Sequence, residues 1–397
     1  MTQKKIEGYG KITEEALQAA RSRIDVERVV PLEDWELEGW KYHYRDIRLL
    51  TLATGDYNPL YLDKGYAEKS PYGTVIAPPG MLIHQMQITS QTDGFPGMHA
   101  LWRGITFEWK QPIRVGDSIR GKTYLREVEV KRSSLSRQSA IQWYETIATN
   151  QKGEEVGRIM TSWSRHERAA AAEKKSERQW RPLASYTPED IERIREDYKK
   201  EVRRGAEPRY WEDVQIGEEL PHVVSGPTNL AQRFVGEADE RAAGQTKIGS
   251  GKDWGVAHAQ IWDLFQKHPA AAWYNEQGIP VTPVVIHQSN ERARRVLGLA
   301  GGYDAGTQRF HWAIHLLTNW QGDHGFLRKL DLTMNDMIIM GDTTWSRGKV
   351  TGKRIEDGKH IVDIEFWQEN QLPRIVSRGS AEIVLLSRSN PDVRTWD

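Results

Sequence analysis

The segment 52–63, LATGDYNPLYLD, holds a carboxylate, an amide and a phenol close together: Asp56, Asn58 and Tyr61. Asp56 there could do acid–base work. The same residues also spell an Asx-turn ahead of Pro59, which needs no chemistry at all. His287, in VVIHQSNERAR, is a second candidate acid or base, or a structural hydrogen-bonding group. His311 and His315 have the i, i+4 spacing of a metal pair on a helix. The H-E-x-x-H glutamate is missing, so a buried or cleft-lining face suits them better, and no metal is expected. GLAGGYDAG looks like a phosphate loop but has neither G-x-G-x-x-G nor Walker spacing, and it reads as a tight turn into the next helix.

The elements that must position these groups come in two similar sets. WRGITFEWKQPIRVGD ends at Asp117 and LRKLDLTMNDMIIMGD ends at Asp342, 225 residues later. Upstream, GTVIAPPGMLIHQM faces GYDAGTQRFHWAIHLL, with Gly80 and Gly306 at nearly the same offset. Two blocks in the same order point to duplication. Each half has a polar loop, then an apolar helix opened by glycine: Met81, Leu82, Ile83 and Met86, or Phe310, Ala313, Ile314 and Leu317. Strand-like segments follow at 102–109, 119–131, 138–148 and 154–163, and again at 326–333, 343–352, 359–368 and 374–386. One helix followed by a run of antiparallel strands predicts an α+β fold with the helix packed on a curved sheet.

Between the halves the chain turns small and charged, then gives clear helix signals. Thr187 is placed as N-cap, Pro188 at N1 and Asp190 at N3, with Gly205 past the last turn. Ile191, Ile194, Tyr198 and Val202 are its expected apolar stripe. The expected division is 1–168, a charged helical linker at 169–208, and 209–391.

Composition narrows the functions. The chain has 397 residues, suiting two ordinary domains. Lys+Arg and Asp+Glu both number 55, so no global field draws in nucleic acid or an anionic membrane. Small-molecule substrates are the better default. There is no cysteine, which removes thiol nucleophiles, disulfides and Cys-ligated metal. The first residues lack the apolar core of a signal peptide, and no apolar run nears the roughly 18–20 residues that span a bilayer, so a cytoplasmic location is expected. The 16 Trp are read as packing and pocket walls.

TGDYNPLYLDKGYAEKSPYGTVIAPPGML resembles the hydratase loop of MaoC-like (R)-specific enoyl-CoA hydratases and dehydratases, whose fold is the hotdog. NPLY and IAPP make the first half similar to a dehydratase-type hotdog domain with Tyr in place of His. RYWEDVQIGEELP and GDTTWSRGKVTGK resemble the same superfamily in the second half. The resemblance implies two tandem hotdog domains forming an intrachain pseudo-dimer. It implies water addition to, or loss from, a 2-enoyl or 3-hydroxyacyl thioester, most simply an acyl-CoA of fatty acid or aromatic acid metabolism. Such chemistry needs a polarised water, a proton for Cα and donors for the thioester oxygen, with no cofactor. A homodimer, or hetero-association of double-hotdog units, is a further implication.

Family members use an Asp and a His five residues apart, and here that pair is split. The first half keeps Asp56 and Asn58 but has Tyr61 where the His belongs. The repeat carries Tyr61 to His287, Ala67 to Ala293 and Asp56 to Thr282. The resemblance implies His287 as general acid/base, with a carboxylate such as Asp239 or Asp253, and Gly306 as an oxyanion donor. Gln308 and Arg309 are expected to line the second-half entrance, Arg309 with a fork suited to phosphate or carboxylate. Asp56, Asn58, Tyr61 and Gly80 are expected in the equivalent site of the first half. Two other readings stay open: Asp56 meets His287 across the pseudo-dimer, or the chain is a non-catalytic acyl-CoA-binding or partner subunit.

Overall fold

A computed structural model of the protein describes residues 10–27, 40–86, 95, 98–133, 137–167, 181–229, 277, 290, 293–294, 299–391 and 393–397. The strands are β1 (Trp40–Lys41), β2 (His99–Trp109), β3 (Ser118–Arg132), β4 (Gln138–Thr149), β5 (Glu155–His166), β6 (Glu219–Ser225), β7 (Phe326–Met334), β8 (Thr344–Glu356), β9 (Lys359–Asn370) and β10 (Ile375–Leu385). They form one ten-stranded sheet in the order β1-β3-β4-β5-β2-β7-β10-β9-β8-β6. Every pairing is antiparallel. The eight long expected strands are all present, several of them longer than the sequence pattern indicates.

The order reads the same from either edge once the halves are exchanged, and the join shows why. Where β2 meets β7, Ile105 faces Leu332, Thr106 faces Asp331 and Phe107 faces Leu330. Thr106 and Asp331 are themselves 225 apart, the offset of the sequence repeat. A pseudo-two-fold axis therefore passes between them, and the Thr106 hydroxyl donates to Asp331 Oδ2 at 2.6 Å across it. Each half thus covers the sheet edge of the other, an edge that would otherwise present unpaired N–H and C=O groups.

The helices are α1 (Glu14–Arg21), α2 (Tyr44–Thr54), α3 (Pro59–Leu62), α4 (Lys64–Lys69), α5 (Pro188–Lys199) and α6 (Gly306–Gln321). The two central segments differ. α6 is sixteen residues long and every residue from Thr307 to Gln321 is buried, the mark of a helix enclosed on all sides. Its first-half counterpart is a seven-residue 3-10 helix, Pro79–Gln85, rather than an α-helix reaching Met86. Pro78 and Pro79 at its head bring no backbone N–H. Phe310 of α6 packs edge-on against Phe107 of β2, ring centroids 5.1 Å apart, and both are fully buried. Each such ring contributes about 1.5–3 kcal/mol by burial.

α5 starts as expected, with reciprocal bonds between Thr187 and Asp190. It ends at Lys199, and only Ile194 of the expected stripe is buried. Ile191, Tyr198 and Val202 are exposed, and Tyr198 uses its hydroxyl on Gly226. No helix among the described residues is long and apolar enough to cross a membrane.

Candidate functional site

The loop at Asp56 is shaped by the residue before it. α2 stops at Gly55, which sits at φ +77, a left-handed cap that glycine adopts without strain. The reversal turns Asp56 inward, where it is 5% exposed. Its Oδ1 accepts the Asn58 N–H at 3.1 Å, and Asn58 Oδ1 in turn accepts the Leu60 N–H at 3.0 Å, capping α3 with Pro59 at its first turn. The Asx-turn is real, and it leaves Asp56 facing other groups as well.

Those groups come from two distant segments. Arg203, just past α5, donates from Nη2 to Asp56 Oδ1 at 3.0 Å and from Nη1 to the Tyr57 carbonyl at 2.9 Å. His315 of α6 brings Nε2 to 3.7 Å from Asp56 Oδ1 and to 2.7 Å from Glu201 Oε1. Asn319, one turn on, donates to Glu201 Oε1 at 2.9 Å and accepts from Arg203 Nε at 2.8 Å. Two carboxylates, a guanidinium and an imidazole are thus interleaved. Burial alone would push the His315 imidazole down; Asp56 and Glu201 outweigh it and hold the ring above its ordinary range. Burial would likewise raise Glu201, but His315 and Asn319 bring it below the usual carboxylate value. As an imidazolium, His315 donates Nε2–H to Glu201.

Beside this cluster lies a pocket of about 530 Å³, its open mouth included, walled by both halves. Asn58, Tyr61, Ile76 and Trp109 come from the first, Thr318 and Leu327 from the second. Most of the lining is apolar, with a few polar groups at fixed points. Burial, then the charge of Asp56, drive the Tyr61 phenol far up, with the Thr318 hydroxyl in hydrogen-bond contact. Tyr61 is therefore held in its protonated form. The Asp56 site and the pocket meet at Asn58, which belongs to both.

The residues expected at the second-half site are placed otherwise. Arg309 is 3% exposed and its fork is engaged within the protein: Nε and Nη2 on Asp304 at 2.6 and 2.8 Å, Nη1 on the carbonyls of Asp336 and Val376 at 2.7 and 3.0 Å. These four hydrogen bonds anchor the start of α6. Gln308 is also buried and accepts the Ala305 N–H at 3.1 Å. A Cβ at Gly306 would lie 2.8 Å from Trp102 Cε3 and 2.9 Å from Met334 Cε, and one at Gly80 would lie 2.6 Å from His311 Nδ1. The close approach these glycines allow is therefore used by the protein's own side chains. His311 and His315 do not act as a pair: one ring faces Gly80, the other Glu201. His287, with Asp239, Asp253 and Thr282, lies outside the described residues.

Sequence reasoning missed Glu201, Arg203 and Asn319. No periodicity or spacing marks them; Glu201 and Arg203 read as the end of a charged helix. His315 was visible as part of a buried or cleft-lining face, but not its carboxylate partners.

Residues 36–159 match the family model described as FAS1-like, dehydratase domain region. Over 85 residues the chain is 31% identical to a 3-hydroxybutyryl-CoA dehydratase of Methylorubrum extorquens, covering 21% of this chain and 54% of that one, about half its length. Among solved structures, a MaoC-like dehydratase superposes with a TM-score of 0.59 at 16% identity, over 93% of this chain and 100% of the other. A conserved hypothetical protein of Mycobacterium tuberculosis, described as a double hotdog, gives 0.52 at 11% identity, over 90% and 96%. These likenesses establish the fold. The dehydratase-region model thus matches the first half, and the double-hotdog fold extends over nearly the whole length of the chain.

Proposed function

We propose that the protein adds water to, or removes it from, a 2-enoyl or 3-hydroxyacyl thioester, most simply a CoA ester, at the site built on Asp56 and His315. The observation that carries this reading is the approach of a first-half carboxylate and a second-half imidazole, 3.7 Å apart, beside an apolar pocket that both halves line. Neither half has a complete dyad in its own loop; the two together supply a proton acceptor and a proton donor. Asp56 holds its loop through Oδ1 and is assigned to bind the water through Oδ2. His315 carries the proton destined for Cα, and Asn58 and the protonated Tyr61 present donors on the pocket side. The matching stretch of the 3-hydroxybutyryl-CoA dehydratase supports the same reaction class.

A second reading, an acyl-thioester-binding or partner subunit without turnover, draws on the salt bridge that already engages Asp56 with Arg203. Absorbance at the enoyl-thioester band separates the two, using the wild-type protein on 2-enoyl-CoAs of increasing chain length. Turnover lost in Asp56→Asn supports the hydro-lyase. Binding of the esters without turnover by pure wild type would favour the subunit.

A further inference from the structure

We infer that the segment joining the two halves is part of the active site, with Glu201 and Arg203 as positioning residues that fix His315 and Asp56 against each other. The inference rests on the proposed function and goes further: it gives the connection a chemical role.

The segment is seated by contacts that do not involve these two side chains. The Arg204 N–H donates to the Asn319 carbonyl at 3.0 Å, and the Asp323 N–H donates to the Gly205 carbonyl at 2.9 Å. Gly205 takes φ +64, and Gly322 packs so tightly on it that a Cβ would lie 3.0 Å from the Gly205 oxygen. Tyr66 of the first half donates to Asp323 Oδ2 at 2.5 Å, closing the same junction from the other side. Residues 204 and 205 are therefore held on the end of α6 by backbone hydrogen bonds, and Tyr66 ties the first half to the same junction. Two side chains then point from this fixed strip. Arg203 spans the halves, from the Tyr57 carbonyl and Asp56 to Asn319. Glu201 holds His315 Nε2 and Asn319 Nδ2 on one oxygen.

The arrangement suits proton transfer better than it suits stability. Burying Asp56 and His315 beside half-buried Glu201 and Arg203 is expensive, and apolar side chains of similar volume would hold the same elements at least as well. What the charges supply is a fixed orientation of the imidazole and two carboxylates of unlike duty. Glu201 binds the His315 Nε2 directly, and Asp56, farther off, is paired with Arg203. The charged groups facing His315 are Asp56 from the loop, with Glu201 and Arg203 from the connection; Asn319 on its own helix is neutral.

The test compares wild type, Glu201→Gln, Glu201→Asp and, as a control on the exposed side of α5, Glu192→Gln. Two readouts are taken: the pH profile of kcat/KM on a 2-enoyl-CoA, and the NMR titration of the His315 imidazole, assigned with His315→Gln. Glu201→Gln is expected to keep its fold and its KM, lose kcat by on the order of tenfold to a hundredfold, and move the His315 titration to lower pH. Glu201→Asp should recover part of both, and Glu192→Gln should change neither. A His315 titration unmoved by Glu201→Gln overturns the inference whether or not the protein turns over. Silence of the wild type on every ester, with the titration moving as stated, overturns the proposed function instead.

Discussion

The two ends of α6 are put to opposite uses. At its start, Gly306, Gln308 and Arg309 are closed over by the protein: Trp102 and Met334 fill the space at the glycine, and Asp304 neutralises the arginine. At its end, His315, Thr318 and Asn319 face a loop from the other half, a charged connection and a pocket. The start of the helix is an anchor, and the end is a junction of three chain segments. A polar residue in a buried helix can hold the fold or serve a site, and its partners tell the two apart. Arg309 meets one carboxylate and two carbonyls, all local to the helix start and the adjoining strands. His315 meets two carboxylates from segments that nothing but the fold brings together.

Substitutions at the two ends sharpen that contrast. His315→Gln should lower kcat/KM by roughly 10²–10⁴-fold, the usual worth of a general acid or base, with its loss of stability concentrated on the acid side, where the paired imidazolium contributes. Arg309→Ala should do the reverse. Removing one partner of a buried ion pair costs about 3–5 kcal/mol, read as a lower urea midpoint, with kcat per folded molecule largely kept. Loss of activity without loss of stability in Arg309→Ala would break the distinction.

A smaller effect lies in pH. His315 is held above its ordinary value of 6.5, so its contribution to stability is full below 6.5 and fades as pH rises through the raised value. Glu201 is held below its ordinary 4.5, so its contribution is full above 4.5 and fades as pH falls. Denaturant melts should therefore show wild type losing stability on the alkaline side of 6.5, and His315→Gln should flatten that decline. The smallest change is expected far from either end. Thr187→Ala removes the α5 cap for about 1 kcal/mol, and assays should find turnover intact.

The strands and the duplication were legible because they rest on local alternation and on a repeat that keeps its register; the pairing of Thr106 with Asp331 follows from the same offset. The Asp56 loop was legible for a similar reason, since Gly55, Asn58 and Pro59 specify their turn in sequence order. The site as a whole was not. Asp56, Glu201, Arg203 and His315 lie on three segments far apart in the chain, and only tertiary packing brings them within hydrogen-bond range. The glycines at 80 and 306 were expected in the two sites, but sequence does not say whether a substrate or a side chain approaches them. The stripe on α5 misled for a related reason: helical spacing shows which residues share a face, not whether anything covers that face.

A double-mutant cycle on Asp56 and His315 tests the central claim most directly, with initial rates of 2-enoyl-CoA hydration for wild type, Asp56→Asn, His315→Gln and the double variant. Groups acting as one unit are strongly non-additive. The double variant should be no slower than the slower single one. If the two losses multiply, or if either single variant keeps wild-type rates, the halves do not share one site at the end of α6.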